Sequence, residues 1–263
     1  MKRIISSLKT FLKYRELFFT LVLRDIKLRY RKSFLGYIWS VLNPLLIMVV
    51  MTIVFSQLFR PNIQYFPIYL LIGQKLFSFA TVSTSRSLTS VIDNASMFKK
   101  IFIPKYIFTL AVVTSELINL LFMLAALFIV ILVLGVPITA RYFFILIPII
   151  QIYVFCVGLS LFLAQATVFF KDIVYIWNIF CTAWMYLSVI FYPVDILPEN
   201  VYYLVTNYNP LYFYITMFRN FIIGTPGMGS MILAVKGAVA AVIMLIIGLV
   251  SFSISKRKFI LYI

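Results

Sequence analysis

Long apolar stretches separated by short polar segments dominate the chain of 263 residues. A helix rises about 1.5 Å per residue, so it needs about 20 residues to cross a hydrocarbon core of about 30 Å. Most of these stretches reach that length. The pattern predicts an all-α polytopic membrane protein. The six expected transmembrane helices lie at residues 34–59, 65–85, 106–134, 143–170, 174–192 and 231–255.

The segment before the first expected span has a different pattern. In residues 1–33, apolar residues recur at helical spacing with lysines and arginines between them. This pattern is typical of an amphipathic helix that lies in the headgroup layer. Residues 34–263 are expected to form one transmembrane domain, because no stretch outside the apolar runs is both long and polar enough for a soluble domain.

The positions of the basic residues predict the orientation of the chain. With six spans, 18 of the 23 lysines and arginines fall on the side that holds both termini, and three fall on the opposite side. Basic residues are enriched in cytoplasmic loops, so both termini are expected inside, in a multi-pass protein of the cytoplasmic (inner) membrane. The net charge of +16 follows from this distribution and does not indicate a nucleic-acid partner.

Two connecting segments carry more information than ordinary loops. The cytoplasmic segment at about 88–103 is expected to form a short helix that ends before Pro104, and the alternative is an ordinary basic loop. The outer segment at about 193–229 is too apolar for a solvated loop and is interrupted by prolines and glycines. It predicts a broken re-entrant hairpin, with a pair of flat interfacial helices as the alternative.

Residue types that carry most catalysis are scarce in this sequence. The chain has no histidine and no phosphate-binding loop of the Gly-x-x-x-x-Gly-Lys-Ser/Thr type. Cys156 and Cys181 fall inside expected spans, where we interpret both as small buried apolar residues. We therefore expect a protein that is not an enzyme, with no catalytic residues, no metal site and no cofactor on this chain.

One acid, Glu116, lies about ten residues into the third expected span, one helical turn from Asn119. At that depth an ionisable group must be paired or face water, which makes Glu116 a functional candidate. The cations inside expected spans, Lys75 and Lys236, are both predicted nearer the outer half. A polar contact at a helix interface is the expected role of Glu116.

Aromatic residues make up 18% of the chain. Many belong to the interfacial belts of membrane proteins, but others lie deeper in the expected spans. Sugar rings pack their C–H faces on aromatic planes, so an aromatic-lined channel would suit a carbohydrate polymer, with packing against lipid as the alternative. The candidate sugar path consists of Phe55, Phe59, Tyr69, Trp177, Phe180, Trp184 and Tyr186.

Two motifs and the order of the elements resemble a known family. One motif is the run Leu35-Gly36-Tyr37-Ile38-Trp39-Ser40-Val41-Leu42-Asn43-Pro44-Leu45, and the other is Asn209-Pro210-Leu211 followed by Arg219. With the basic N-terminal helix and six spans, they resemble the permease subunit of the ABC-type polysaccharide exporters. That family moves lipid-linked O-antigen, capsule or teichoic acid.

The resemblance implies partners and roles for individual residues. Two permease chains would form a homodimer in the membrane lipid around a channel for the lipid-linked polysaccharide, and two cytoplasmic ATPase subunits would bind ATP and Mg. It implies a cytoplasmic entrance at Leu35, Gly36 and Trp39, coupling to the ATPase through Asp93, Asn94, Phe98, Lys99 and Lys100, and an outer gate at Pro198, Tyr202, Asn209, Pro210 and Arg219.

Two other functions remain open at this point. A permease for drugs or small lipids would share the topology, although it would be expected to lack the basic N-terminal helix and the Leu-Gly run. A membrane-embedded glycosyltransferase or acyltransferase would need accessible acids, and the outer pair Asp195 and Glu199 is the available one.

Overall fold

Helices account for all regular structure in the residues that the structure describes. The computed structural model of the protein describes residues 12–31, 34–59, 63, 65–98, 103–224 and 229–255. Short 3-10 turns at Gly36–Ile38, Ala140–Ile145 and Val194–Ile196 lie between some of the helices. The α-helices are α1 (Arg15–Tyr30), α2 (Trp39–Phe59), α3 (Phe66–Thr89), α4 (Ala95–Phe98), α5 (Tyr106–Val133), α6 (Leu146–Phe169), α7 (Ile173–Leu187), α8 (Glu199–Tyr208), α9 (Pro210–Ile223) and α10 (Ser230–Ser255).

Five of these helices, α2, α3, α5, α6 and α10, are long and apolar enough to cross a membrane. They confirm the prediction of an all-α, multi-pass membrane protein. The segment expected as the fifth span, 174–192, is helical over a shorter length. There α7 has 15 residues, about 22 Å of helix, and ends at Leu187. Val189 then adopts a left-handed backbone conformation with φ of 53°, which a continuing α-helix does not accommodate.

Helix α3 lies at the centre of the bundle. It contacts α2, α5, α6, α7 and α9. Within the membrane-spanning part of α3, 61% of the residues are buried inside the protein. The corresponding buried share is 11% in the span that contains α2. The polar residues Ser83, Thr84 and Ser87 on its buried side bond to carbonyl groups of their own helix, so they can be buried without other partners.

Helices α6 and α10 run parallel to each other and make the most extensive helix contact in the structure. Near their N-terminal ends, Gln151 Nε2 donates to the carbonyl of Ala234 at 2.9 Å. Near their C-terminal ends, the hydroxyl of Ser251 bonds to Gln165. The chain therefore returns from one end of the bundle to the other between α6 and α10.

Two glycines set the distance between α6 and α10. A Cβ atom added at Gly158 would lie 2.4 Å from the carbonyl oxygen of Met244, and one added at Gly248 would lie 2.1 Å from the carbonyl oxygen of Gly158. Only residues without a side chain permit this approach, which is common where membrane helices associate closely.

Helix α1 packs through one face against the N-terminal half of α5. The shared cluster contains Phe18, Leu21, Val22 and Ile26 of α1 with Ile103, Ile107, Phe108 and Ala111. The opposite face of α1 exposes Phe19, Leu23 and Leu28. Residues 1–11 of the expected interfacial helix lie outside the described residues, and its position in the headgroup layer stays a prediction.

The expected outer segment, 193–229, contains two helices that Asn209 alone connects. Helix α9 packs against α3, α6 and α10, and ten of its residues are buried. Helix α8 exposes Tyr202, Tyr203 and Leu204. Gly224 ends α9 with φ of +62°, a conformation that glycine adopts at low cost. Residues 225–228 lie outside the described residues.

Candidate functional site

A cluster of charges around the buried Glu116 connects α1, α3 and α5. The carboxylate of Glu116 is 4% exposed and accepts hydrogen bonds from both Arg29 and Arg86. Arg86 Nη2 also donates to Asp25 Oδ2 at 3.1 Å. Asn119 Nδ2 donates to the second oxygen of Glu116 at 3.3 Å. The expected role of Glu116 as a polar contact between helices is confirmed.

Local helix geometry places these groups together. Asp25 and Arg29 are four residues apart on α1, and Glu116 and Asn119 are three apart on α5, so each pair shares one helix face. Arg86 lies in the last turn of α3 and reaches both acids. Each acid is thus bonded to an arginine of another helix, and α1 is attached to two helices of the bundle by charge as well as by apolar packing.

A cavity of about 410 Å³ lies beside this cluster, between the first turns of α2 and the middle of α3 and α5. Arg29 and Glu116 line one part of it, and Lys75 of α3 lines another. Trp39, a residue of the expected cytoplasmic entrance, also lines the cavity and is 39% exposed. The entrance motif and the charge cluster therefore belong to the same region of the molecule.

The other two entrance residues, Leu35 and Gly36, form the turn that leads into α2. Gly36 has φ of +48° and begins a single 3-10 turn. A Cβ atom there would meet nothing within 4 Å, so the backbone conformation and not the available space favours glycine. Phe34 before the turn is fully exposed.

Arg219 of the expected outer gate is buried, with 2% exposure, and connects three parts of the chain. Its guanidinium donates to the carbonyl of Tyr69 at 3.0 and 3.2 Å, to that of Val189 at 3.0 Å and to that of Ile190 at 3.0 Å. It also lies 3.3 Å from the ring centroid of Tyr69. Through these bonds it holds α9, α3 and the irregular segment after α7 together.

Asn209 joins the C-terminal part of α7 to the start of α9. Its Oδ1 accepts from Trp184 Nε1 at 2.9 Å and from the backbone N–H of Leu211 at 3.1 Å. Its Nδ2 donates to the carbonyl of Leu187 at 2.8 Å. Asn209 is therefore the N-cap of α9, and Pro210 occupies the first helical position, where its missing N–H costs nothing.

The remaining outer-gate residues, Pro198 and Tyr202, lie at the start of α8 and within it. Pro198 is the N-cap residue of α8, and Tyr202 is 41% exposed one turn further along. Lys236 of α10 donates to the carbonyl of Thr206 at 3.2 Å and to Asn207 Oδ1 at 2.8 Å, which attaches the end of α8 to the bundle.

The candidate sugar-path residues fall into two groups. Tyr69, Trp177 and Trp184 pack inside the chain, with 6 to 7% exposure. Phe180 and Tyr186 of α7 are exposed by 47% and 57%. Phe55 is half-buried and stacks on Phe191, with ring centroids 5.4 Å apart. The side chain of Phe59 lies outside the described residues.

The helix in the expected coupling segment is shorter than the expected range of 88–103. Helix α3 continues to Thr89, a turn follows, and α4 has only four residues, Ala95–Phe98. Asp93 is exposed, and Asn94 Nδ2 donates to the carbonyl of Ser90 at 2.8 Å. The side chain of Phe98 and all of Lys99 and Lys100 lie outside the described residues.

Glu116 is predictable from the sequence, but its partners are not. The cations expected within the spans are Lys75 and Lys236, whereas Glu116 pairs with Arg29 and Arg86. Two signals pointed to them: Asp25 interrupts a basic run, and Arg86 belongs to a polar stripe of α3 with serines at 83, 87 and 90. Gly73 was also missed, although an added Cβ there would lie 2.4 Å from Arg219 Nη2.

The sequence matches known proteins over most of its length. The sequence model of the ABC-2 type transporter family matches residues 16–223, from α1 to the end of α9. The O-antigen export system permease protein RfbA of Myxococcus xanthus is 30% identical over 212 residues, which cover 78% of this chain and 80% of the relative. A protein of the same name from Klebsiella pneumoniae is 30% identical over 190 residues, which cover 72% of this chain and 73% of the relative.

Proposed function

Because the chain belongs to the ABC-2 type transporter family, we propose that it is the permease subunit of an ATP-driven exporter of a lipid-linked polysaccharide, with O-antigen as the first candidate and capsule or teichoic acid as the others. The observation that carries this proposal is the similarity to O-antigen export permeases over more than two thirds of the chain. The Leu35-Gly36 turn, the charge cluster and the Arg219 contacts all fall within the matched residues.

The proposed topology has six crossings, with both termini in the cytoplasm of the cell and the chain in its cytoplasmic membrane. The parallel arrangement of α6 and α10 supports the sixth crossing, because the chain must return across the bundle between them. Helix α7, followed by the segment that Arg219 holds, makes that return. The segment 193–229 would then reach into the outer half of the membrane, where protein groups satisfy its non-helical backbone.

The proposed transport cycle uses partners outside this chain. Two copies of the permease form the channel, and a separate ATPase subunit on each copy binds ATP and Mg at the cytoplasmic side. Closure of the ATPase subunits would move the turn around Asp93 and Asn94, which continues directly from α3. Helix α3 contacts α5 directly, α1 through the charge cluster, and α9 through Arg219. A displacement of α3 would therefore move residues at both the entrance and the outer gate.

The experiment that tests this function is reconstitution of the full chain with its partner ATPase in lipid vesicles. We expect lipid-linked polysaccharide to raise the rate of ATP hydrolysis and to move across the membrane when ATP is added. Polysaccharide cleaved from its lipid is the matched control and should do neither. Stimulation by small lipids or drugs, with none by the lipid-linked polymer, would instead indicate a permease for those compounds.

A prediction at the entrance concerns Gly36. Replacing it with valine forces a β-branched residue to φ of +48°, which costs about 1–2 kcal/mol. We expect export to fall about five- to tenfold in Gly36→Val, measured as polymer transported at equal membrane level. Gly36→Asn should retain most of the export, because asparagine tolerates this conformation.

The control for Gly36 is Gly229→Val. A Cβ atom at Gly229 meets nothing within 4 Å, and its backbone does not require positive φ. This variant should export as the unaltered chain does. Equal export by the valine and asparagine variants at position 36 would show that the backbone conformation of this turn does not matter for transport.

A further inference from the structure

Lys75 is a charged residue in the middle of a membrane helix that has no polar partner among the described residues. It lies about 14 Å along α3 from Phe66 and about 21 Å from Thr89. Its side chain is half-buried and lines the cavity beside α2 and α5. No hydrogen bond or ion pair joins it to any residue that the structure describes. An ammonium at this depth is costly unless an anion accompanies it.

The neighbouring acids do not supply that anion. Glu116 also lines the cavity, but it is bonded to Arg29 and Arg86, and Asp25 is bonded to Arg86. Arg24 also pairs with Asp25 at 3.4 Å, so three arginines face the two carboxylates and neither acid is left without a cation. Lys75 adds one positive charge that nothing in the described wall offsets.

The rest of the wall fits an amphiphile with a charged group. Ser40, Asn43 and Ser78 add hydroxyl and amide groups to the cavity. Its apolar side consists of Phe79, Val82, Leu120 and Met123. With about 410 Å³, the cavity lies within the usual range of small-molecule sites, which combine an apolar lining with few polar groups.

We propose that this cavity binds the phosphate group of a lipid, with the ammonium of Lys75 on the phosphate oxygens and the apolar wall against the chain. The inference rests on the proposed function, because the transported polymer would be carried on such a lipid. The shared chemistry is a phosphate on a hydrocarbon chain, and a phospholipid of the membrane offers it as well as the lipid carrier of the polysaccharide.

The test measures binding to the purified full chain without ATP or ATPase, so that it is separate from transport. The probes are a polyprenyl phosphate, the matching polyprenol without phosphate, and phosphatidylglycerol, each followed by tryptophan fluorescence, since Trp39 lines the cavity. We expect Lys75→Gln to weaken binding of the polyprenyl phosphate about tenfold or more, because a charge-assisted hydrogen bond is lost. Lys75→Arg should restore most of it, and the polyprenol should be insensitive to both changes.

Thermal melting separates this role from a structural one. Without ligand, Lys75→Gln should melt at the same or a higher temperature than the unaltered chain, because it removes an unpaired cation from the bundle. A lysine that merely held the fold together would lower the melting temperature when replaced. Lys171→Gln removes the same charge from an exposed turn and should change neither binding nor melting.

The outcomes decide the inference independently of transport. Tight binding of phosphatidylglycerol that depends on Lys75 supports the site and identifies a phospholipid as the source of the phosphate. Dependence for the polyprenyl phosphate alone identifies the lipid carrier. Unchanged binding of both in Lys75→Gln overturns the inference, even if the vesicles export polysaccharide. Failure of export with binding intact overturns the proposed function and leaves this site standing.

Discussion

Replacing Arg219 with methionine should lower the melting temperature of the purified chain by about 10 °C and abolish export. The guanidinium donates four hydrogen bonds to three buried carbonyl groups, those of Tyr69, Val189 and Ile190. Methionine fills similar space but removes all four donors, so that the carbonyl of Val189 keeps only the hydroxyl of Tyr69 at 3.4 Å. Each buried acceptor that loses its partner costs about 1–3 kcal/mol. A total loss of about 3–5 kcal/mol in the free energy of unfolding lowers the melting temperature by about 10 °C in a chain of this length.

Two further variants test the same contact. Arg219→Lys keeps the charge but not the planar fork of donors, so it should lie between the methionine variant and the unaltered chain. Gly73→Val should resemble Arg219→Met, because its Cβ would lie 2.4 Å from Arg219 Nη2 and displace it. Arg141→Gln removes an exposed arginine and serves as the control, with melting and export unchanged. A methionine variant that melts within about 2 °C of the unaltered chain would contradict this account.

Replacing Glu116 with glutamine should destabilise the attachment of α1. The carboxylate accepts hydrogen bonds from Arg29 and Arg86, and neutralising it leaves Arg29 without an acid while Arg86 keeps Asp25. Removing one partner of a fully buried ion pair costs about 3–5 kcal/mol, and the cost here is smaller because the side chains of Arg29 and Arg86 are 32% and 38% exposed. We expect a lower melting temperature, measured in detergent, and about a tenfold or greater loss of export, measured in vesicles at equal protein level.

A control variant and a compensating second change are both available for Glu116→Gln. Glu16→Gln changes an exposed acid of α1 and should leave melting and export unchanged. Adding Arg29→Gln to Glu116→Gln removes the cation that the first change leaves without an acid, so the double variant should recover part of the lost stability. If the second change instead adds its full cost to the first, the two residues act independently and the cluster is not a unit.

Much of the fold could be predicted from hydrophobic length alone. The ends of the spans at 106–134 and 143–170 match α5 and α6 within a few residues, because apolar length and flanking polar residues determine where a helix can lie in a bilayer. The expected span at 174–192 was less accurate. Its apolar run continues past Leu187, but the backbone leaves the helix at Val189, where Arg219 donates hydrogen bonds to the carbonyls of the irregular segment.

The candidate site was predictable in part. The Leu35-Gly36 run and Asn209-Pro210 were recognisable because they are short motifs with local backbone roles, a positive φ and a helix cap. The partners of Glu116 were not, since they lie 87 and 30 residues away in the sequence. The burial of Trp177 and Trp184 also depends on neighbours from other helices, which aromatic composition does not reveal.

By itself, the sequence determined the class of protein, the approximate spans and the acid that had to be paired, because hydrophobic burial and the cost of a charge in hydrocarbon act on any chain in the same way. Only the tertiary structure decided which groups meet. Arg219 reaches carbonyls of α3 and of the segment after α7, Glu116 joins α1 to the bundle, and Lys75 faces a cavity without a partner among the described residues. These pairings depend on how helices distant in sequence pack together, and the periodicity of a single helix carries no information about its neighbour.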